Sequence, residues 1–256
     1  MATGWKKNLS RDPFAGGKQL RHGVRAVAAS AIGTQFFCEM KVEQSFLHEE
    51  VETEEKTEGT VLHEQLLAMQ PTTWEKLLEG IEKRELYVAS FPLGADFGRL
   101  SLAGVPDAVV FQKGRPSFVL ELKTTRGDAT ILYDGQRAQT VIYGLLLEEV
   151  GFDCASLRLV VVKFRRQTPM SEEQRADFLK GLTSDLVAGR DLDRLASTSK
   201  NGMVAHSFPY RRQEAVQTLS RTEGYWLNER SPIASTNPNK CRACEFRSVC
   251  PSSLVR

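Results

Sequence analysis

Long apolar runs are missing from this sequence of 256 residues. No stretch approaches about 18 consecutive apolar residues, so the sequence predicts no membrane-spanning helix and no membrane partner. The first thirty residues also lack the apolar segment of a secretory signal. Only five cysteines are present, in a chain long enough to fold without disulfides. These absences predict an intracellular, cytoplasmic protein.

The net charge is also small, because 34 Lys and Arg residues are balanced by 32 Asp and Glu residues, which gives a formal charge of +2. This balance excludes a strongly cationic coat protein but not a local nucleic-acid site. The charge is unevenly distributed: residues 39–85 hold 13 acidic and 5 basic side chains, and residues 200–256 hold 9 basic and 4 acidic ones. The asymmetry indicates either an anionic partner for the later part of the chain or solvated faces of opposite sign.

The N-terminal segment, residues 1–29, is basic, with Asp12 as its only acid. Its composition is typical of a basic arm, disordered by itself, or of an organellar presequence. The sequence as a whole has an ordinary globular composition, with 41% hydrophobic and 26% charged residues. We therefore expect one folded unit after a basic arm.

Hydrophobic periodicity predicts helices, then strands, then helices again. A helix capped by Ser30 is expected to run through Phe46 with Cys38 inside it. Further helices are expected over residues 59–69, 73–83, 136–150, 171–186 and 211–226. Strands over residues 85–93, 99–111 and 117–124 predict an antiparallel meander with a hairpin turn at 114–116, and residues 157–164 predict a buried central strand. The order indicates an α/β core with a helical periphery.

Two carboxylates and a lysine interrupt strands that are otherwise apolar. Asp107 follows Pro106, and 13 residues separate it from Glu121, Leu122 and Lys123. If the strands pair as a hairpin, Asp107 and Glu121 lie near one end, and Glu121 and Lys123 share a face. Burying such charges is costly unless a cation compensates, and carboxylate oxygens suit Mg²⁺ or Mn²⁺. The alternative is an ordinary solvated strand face.

Polar side chains on two predicted helices are candidates to join this group. His63 lies four residues after Gly59, and a neutral imidazole can complete a carboxylate metal site, although such a histidine is more often a surface or core residue. Gln136, Gln139 and Tyr143 lie at i, i+3 and i+7, which makes one polar stripe on an apolar helix. The stripe is suited to contacts with a phosphate backbone, or forms a half-buried amphipathic face.

Three cysteines form a compact group of soft ligands near the C terminus: Cys241, Cys244 and Cys250, the last followed by proline. Three thiolates leave one ligand position, for which Cys38 and Cys154 are both available. Cys154 precedes an apolar strand and is most simply a buried core thiol. Four thiolates suit either zinc or an iron–sulfur cluster.

Together these motifs resemble the RecB-like branch of the PD-(D/E)XK nucleases. The matching motifs, in order, are Gly59-x3-His63, Pro106-Asp107, Glu121-Leu122-Lys123 and Gln139-x3-Tyr143. Cys38 with the three late cysteines is similar to the iron–sulfur members of that branch, which include exonuclease V and the CRISPR-associated spacer-processing nucleases. The likeness covers about residues 36–251.

The resemblance implies a restriction-endonuclease-like fold, in which helices flank a mixed sheet and the C-terminal cysteine region closes onto an N-terminal helix. It implies a single nuclease domain over residues 30–256, with a cluster lobe formed by residues 30–58 and 200–256. The implied site residues are the catalytic Asp107, Glu121 and Lys123; the Mg²⁺ or Mn²⁺ ligands His63, Asp107, Glu121 and the Leu122 carbonyl; the DNA contacts Gln136, Gln139 and Tyr143; and the [4Fe–4S] ligands Cys38, Cys241, Cys244 and Cys250.

The predicted activity is that of a metal-dependent DNA exonuclease acting on single-stranded ends in DNA repair or processing. The CRISPR type usually has Cys-Pro-Arg at the first cysteine, whereas Glu39 and Met40 follow Cys38 here, which is nearer to exonuclease V. One alternative is a CRISPR-adaptation nuclease that trims prespacers in antiviral defence beside an integrase. Another is a catalytically inactive DNA-binding or assembly module. Single-stranded DNA is the expected partner, with an integrase or a single-strand-binding protein as candidate protein partners.

Overall fold

The computed structural model describes residues 19–48, 74–165, 171–189 and 203–255. In these ranges the chain is a mixed α/β protein with two sheets flanked by helices. None of the helices in these four ranges is both long and apolar enough to cross a membrane.

Eight strands and seven α-helices make up the described part of the chain. The strands are β1 (Val27–Ala28), β2 (Leu86–Ala89), β3 (Leu93–Phe97), β4 (Leu100–Gly104), β5 (Ala108–Gln112), β6 (Arg115–Thr125), β7 (Arg158–Arg165) and β8 (Met203–Pro209). The helices are α1 (Ala29–Phe37), α2 (Glu39–Leu47), α3 (Trp74–Lys83), α4 (Asp134–Val150), α5 (Glu172–Val187), α6 (Arg212–Trp226) and α7 (Pro238–Arg242).

The larger sheet has the order β2-β5-β6-β7-β8, with β6 and β7 parallel and the other pairs antiparallel. The smaller sheet has the order β1-β4-β3. The predicted single meander is therefore wrong, because the strand predicted over 99–111 is divided into β4 and β5 in different sheets, and β3, which starts at the end of the strand predicted over 85–93, pairs with β4. Pro92 and Pro106 stand at the breaks. Proline has no N–H to continue a ladder, so the chain leaves one sheet there and enters the other.

The predicted hairpin of β5 and β6 is present, but its turn lies at Lys113 and Gly114 rather than over 114–116, because Arg115 and Pro116 already pair in β6. Lys113 and Gly114 both have left-handed φ values, 51° and 77°, as a two-residue turn that matches the strand twist requires. The ladder runs from the pair Gln112 and Arg115 to the pair Ala108 and Leu120. One step beyond its end, Asp107 stands opposite Glu121.

The predicted buried strand and the helix before it form the centre of the core. β7 is buried on both faces, as its continuous apolar run predicts. α4 packs against the sheet through a run of fully buried residues, among them Val141, Ile142 and Leu145. Because α4 lies across the carboxylate-bearing face of β6, its polar stripe can reach the strand.

Three other expectations need correction. The helix predicted from Ser30 is interrupted at Cys38, which is extended with φ −172° and ψ 126°, so α1 and α2 are separate. β8 was not predicted, because apolar and polar residues alternate over only a short stretch of this segment. Residues 20–28, assigned to the basic arm by the sequence, belong to the folded part, because Leu20 and Val27 are buried and β1 pairs with β4. The helix predicted over residues 59–69 lies outside the described residues.

The early helices and the C-terminal part of the chain are in direct contact. Trp226 Nε1 donates to Gln35 Oε1 at 2.9 Å, and Gln35 Nε2 donates to the Thr222 carbonyl at 3.2 Å. Arg230 forms an ion pair with the buried Glu39. Burial raises the pKa of Glu39, but hydrogen bonds from Arg230, Gln35 and the Ile233 N–H outweigh it and leave the pKa lowered. The carboxylate therefore stays ionised where α2 begins.

Candidate active site

Asp107 is fixed at the end of β5 by backbone groups. The Leu122 N–H donates to its Oδ2 at 2.6 Å, and Ser90 Oγ donates to the Pro106 carbonyl at 2.8 Å, which holds the turn before it. In an antiparallel pair the N–H and C=O of one residue point to the same neighbouring strand. The Leu122 carbonyl is therefore directed toward Asp107 as well.

Glu121 is held by a neighbour on its own strand and by one on α4. Its Oε1 lies 2.7 Å from Lys123 Nζ and accepts a hydrogen bond from Gln139 Nε2, also at 2.7 Å. Its other carboxylate oxygen, Oε2, is buried. The alternation of β6 places Glu121 and Lys123 on one face, as expected for side chains two residues apart.

The amide of Gln139 links Glu121 to Tyr143. Gln139 Nε2 also donates to the Tyr143 hydroxyl at 2.8 Å. Burial raises the pKa of Tyr143 above its ordinary value, and the negative charges of Glu121 and Asp107 raise it further. The phenol therefore stays protonated, with its own O–H available to donate.

Gly104, Gly33 and Gly135 allow close packing that positions the side chains of Tyr143 and Gln139. A Cβ on Gly104 would lie 2.6 Å from the Tyr143 ring. A Cβ on Gly33 of α1 would lie 2.7 Å from the Gly135 carbonyl and 3.2 Å from the Gln139 side chain. Sequence reasoning missed these glycines, because no local pattern distinguishes a glycine at a helix crossing from any other.

The predicted residues share one open cleft of about 560 Å³. Asp107, Glu121, Lys123, Gln139 and Tyr143 line it together. Its other walls are small or apolar: Ala26, Ala28, Ser30, Pro92, Leu93, Ala103, Gly104 and Val105.

Two predicted site residues do not take part in this arrangement. Gln136 is not among the residues that line the cleft, because its Oε1 accepts a hydrogen bond from the Tyr133 N–H at 3.3 Å at the start of α4. His63 lies outside the described residues.

The donor set at the end of β5 is suited to a hard cation. Two carboxylates and a strand carbonyl are oxygen ligands of the type that Mg²⁺ and Mn²⁺ prefer, with water completing the shell. Within the described ranges, no three His, Cys, Asp or Glu side chains converge on one metal position. The described part of the site therefore supplies two carboxylates, and Mg²⁺ is usually held by one or two.

The four cysteines named as cluster ligands line one pocket: Cys38, Cys241, Cys244 and Cys250. The Ser235 N–H donates to Cys38 Sγ at 3.3 Å. Cys154 lies apart from them in the core. Burial, and then the charges of Glu148 and Asp153, raise the pKa of Cys154 to about 12, so it is an inert thiol.

A comparison with known protein families gives a match over most of the chain. A family model described as "PD-(D/E)XK nuclease superfamily" matches residues 24–251. The chain belongs to the PD-(D/E)XK nuclease superfamily. Its fold is the restriction-endonuclease-like one. Membership implies nuclease activity, and PD-(D/E)XK nucleases typically use Mg²⁺ or Mn²⁺.

One solved structure similar to this PD-(D/E)XK chain is described as "Crystal structure of SSO0001". It is 16% identical, has a TM-score of 0.49, and the match covers 98% of this chain and 93% of that chain. A search of curated proteins found no match.

Proposed function

We propose that this PD-(D/E)XK nuclease is a Mg²⁺- or Mn²⁺-dependent deoxyribonuclease that removes nucleotides from single-stranded DNA ends, similar to exonuclease V. The observation that carries the proposal is that Asp107, Glu121, Lys123 and Gln139 line one open cleft, where Glu121 contacts both Lys123 and Gln139. A role in DNA repair or processing follows from this activity.

Each side chain has a role in the proposal that its contacts support. Asp107, Glu121 and the Leu122 carbonyl hold the metal ion, with His63 as a further ligand. The bound ion polarises the scissile phosphate and lowers the pKa of water. Lys123, half-exposed beside Glu121, neutralises charge that develops on the phosphate oxygens. Gln139 keeps the Glu121 carboxylate in place, and the Tyr143 hydroxyl donates toward the DNA backbone.

The dimensions of the cleft favour a single strand over a duplex. A cleft of about 560 Å³ has the size of a pocket for a small ligand, the scale of one or two nucleotides. Asp107 and Glu121 are only 8% and 2% exposed. A flexible strand can bend far enough to bring one phosphate to them, whereas bending a rigid duplex into the cleft costs elastic energy.

The proposal is tested with end-labelled DNA, single- and double-stranded, linear and circular, incubated with Mg²⁺, Mn²⁺ or EDTA. We expect linear single strands to be degraded with either metal, circular ones to be spared, and EDTA to stop the reaction. Asp107→Ala and Glu121→Ala should each abolish cleavage and leave the circular dichroism spectrum unchanged. The exposed Asp153, changed to Asn, is the matched control and should retain full activity.

Two results would contradict different parts of this proposal. Cleavage of circular single strands would exclude a requirement for ends. Full activity in both purified alanine variants would refute the assignment of Asp107 and Glu121 to the active site.

We also propose that Cys38, Cys241, Cys244 and Cys250 hold a [4Fe–4S] cluster with a structural role. A four-iron cluster is larger than one ion, so its ligands stand around a pocket rather than converge on a point. The shared pocket of the four cysteines supports this. Lys41 and Lys240, which also line the pocket, supply positive charge near the thiolates. The N–H of Ser235 donates to Cys38 sulfur, a type of contact that tunes such clusters.

A further inference from the structure

The loop between β6 and α4, residues 126–133, is anchored by a buried cation. Lys163 is fully buried on β7. Its Nζ donates to the Ile131 carbonyl at 2.6 Å and to the Asp128 carbonyl at 3.4 Å. Burying an ammonium group is expensive unless hydrogen bonds compensate, and both of these hydrogen bonds go to the loop. Lys163 therefore holds the loop in one conformation.

A histidine on the next strand gives the loop a second anchor. His206 of β8 is hydrogen-bonded through Nε2 to the Ala129 carbonyl at 2.8 Å. A carbonyl only accepts, so Nε2 carries the proton. The Asp128 side chain in turn accepts from the Thr130 N–H at 2.8 Å. With three carbonyls of the loop bound to the sheet, Ile131 and Tyr133 are 48% and 46% exposed.

Tyr133 is fixed on one side and open on the other. Lys163 Nζ lies 4.3 Å from the centroid of its ring, a cation–π contact. The Tyr133 hydroxyl lies close to Gly127, where an added Cβ would be 3.2 Å away. A ring held in this way can stack on a partner without the entropy cost of being ordered first.

The loop lies next to the carboxylate site in the chain and in the sheet. Lys163 is the register partner of Lys123 on the parallel neighbouring strand, so the two lysines face the same side of the sheet. The loop begins three residues after Lys123 and leads into α4, which carries Gln139. Tyr133 does not line the cleft itself, but it contacts Lys163, one strand away from the cleft residue Lys123 on the same face of the sheet.

We propose that Tyr133, with Ile131 beside it, is a stacking platform for one unpaired nucleobase of the strand whose backbone lies in the cleft, and that Lys163 is the residue that positions this platform. The inference rests on the proposed nuclease function and adds a base-binding subsite to it. Stacking on an aromatic ring tolerates every base, because each base has a π face. The subsite therefore recognises a single strand without reading its sequence.

The experiment compares Tyr133→Ala and Tyr133→Phe in an Asp107→Asn background, which stops cleavage. Binding of a fluorescein-labelled single-stranded oligothymidylate is measured by anisotropy with Mg²⁺ present. Loss of one stacked base corresponds to a fall in affinity of about 5- to 150-fold for Tyr133→Ala. Tyr133→Phe should bind as the parent does. Val216→Ala removes another exposed apolar side chain, on α6, and should also have no effect.

A strand with one abasic sugar, moved through successive positions, separates stacking from a general structural effect. At one position, removal of the base should lower the affinity of the parent to that of Tyr133→Ala for the intact strand. The parent and Tyr133→Ala should bind this abasic strand with equal affinity. The proposal would be overturned if both proteins bound the intact strand equally. It would also be overturned if the parent and Tyr133→Ala differed in affinity for every abasic strand. If the parent binds no single strand and the wild-type protein cleaves none, the proposed function fails instead.

Discussion

At the residue scale, Gln139 has a role that its spacing does not reveal. The sequence places it in a polar stripe with Tyr143 and predicts a DNA contact. In the structure it is buried, and its amide donates to Glu121 and to Tyr143 within the protein. Its first effect is therefore on the orientation of the carboxylate.

Replacing Gln139 by Ala should reduce cleavage more than DNA binding. Glu121 loses a hydrogen bond worth about 1.5–3 kcal/mol for a charged acceptor, which corresponds to a roughly 10- to 150-fold fall in kcat. KM for single-stranded DNA should change little. Gln139→Glu brings a second carboxylate against Glu121 and should be at least as damaging. A variant in which KM rises and kcat is unchanged would assign Gln139 to DNA contact instead.

Lys163 should make the stability of the protein depend on pH. Burial lowers its pKa to about 8 from an ordinary value of 10.5, and the charge of Asp128 opposes part of the change. Between these two pH values the unfolded state binds more protons, so the contribution of Lys163 to the free energy of unfolding rises with pH. Lys163→Met removes that contribution.

The measurement is urea unfolding of wild type and Lys163→Met at pH 7.5 and near pH 10. The difference in unfolding free energy should shift in favour of the wild type at the higher pH. Other groups titrate equally in both proteins and cancel in the comparison. A difference that is the same at both pH values would show that the pKa is not lowered.

At the element scale, the crossing of α1 and α4 sets the depth of the cleft. The two helices touch at Gly33 and Gly135, where an added Cβ on either residue would meet the backbone of the other, at 2.7 and 2.3 Å. Such backbone contact requires glycine on both helices. It brings α4 close enough for Gln139 to reach Glu121 on β6.

Gly33→Ala should therefore separate the helices and move Gln139. Overpacking of this kind typically costs about 1–3 kcal/mol of stability. Activity should fall further than stability does, because Gln139 moves with α4. Gly181→Ala, on an exposed face of α5 with no atom within 4 Å of the added Cβ, should raise stability by up to about 1 kcal/mol and keep activity. Thermal melts and a cleavage assay together distinguish the two; normal activity in Gly33→Ala would contradict the role of the crossing.

At the scale of the whole molecule, the early helices and the C-terminal segment are joined by contacts across the chain. Lys240 Nζ donates to the Phe37 carbonyl at 2.8 Å, and Lys41 forms an ion pair with Glu245 at 2.8 Å. Both pairs flank the cysteine pocket. The proposed cluster would join the same two parts of the chain through its four ligands.

Cys241→Ala should lose visible absorbance and thermal stability together, while Cys154→Ala keeps the absorbance. The reason is that Cys241 belongs to the shared pocket and Cys154 to the core. Absorbance near 400 nm, iron and zinc content and the melting temperature are the measurements. A colourless native protein that contains stoichiometric zinc would replace the cluster with a zinc site, and full stability of Cys241→Ala would exclude a structural role.

The local parts of the candidate site are the parts that the sequence predicts well. A two-residue turn at Lys113 and Gly114 begins the hairpin, and a one-residue shift of register between Phe111 and Val110 then brings Asp107 opposite Glu121. Alternation then puts Lys123 on the same face as Glu121. The strand pair and the alternation span few residues and can be predicted from pattern and turn chemistry, whereas the one-residue register shift is seen only in the structure.

The sequence by itself determined the strand pair, the order of the carboxylates and the compact group of late cysteines, because each depends on residues close together in the chain. Only the tertiary structure decided that Lys163 holds the loop carrying Tyr133 and that the predicted meander divides between two sheets. These outcomes depend on packing between segments far apart in sequence. No local pattern encodes which of several compatible partners a buried group will contact.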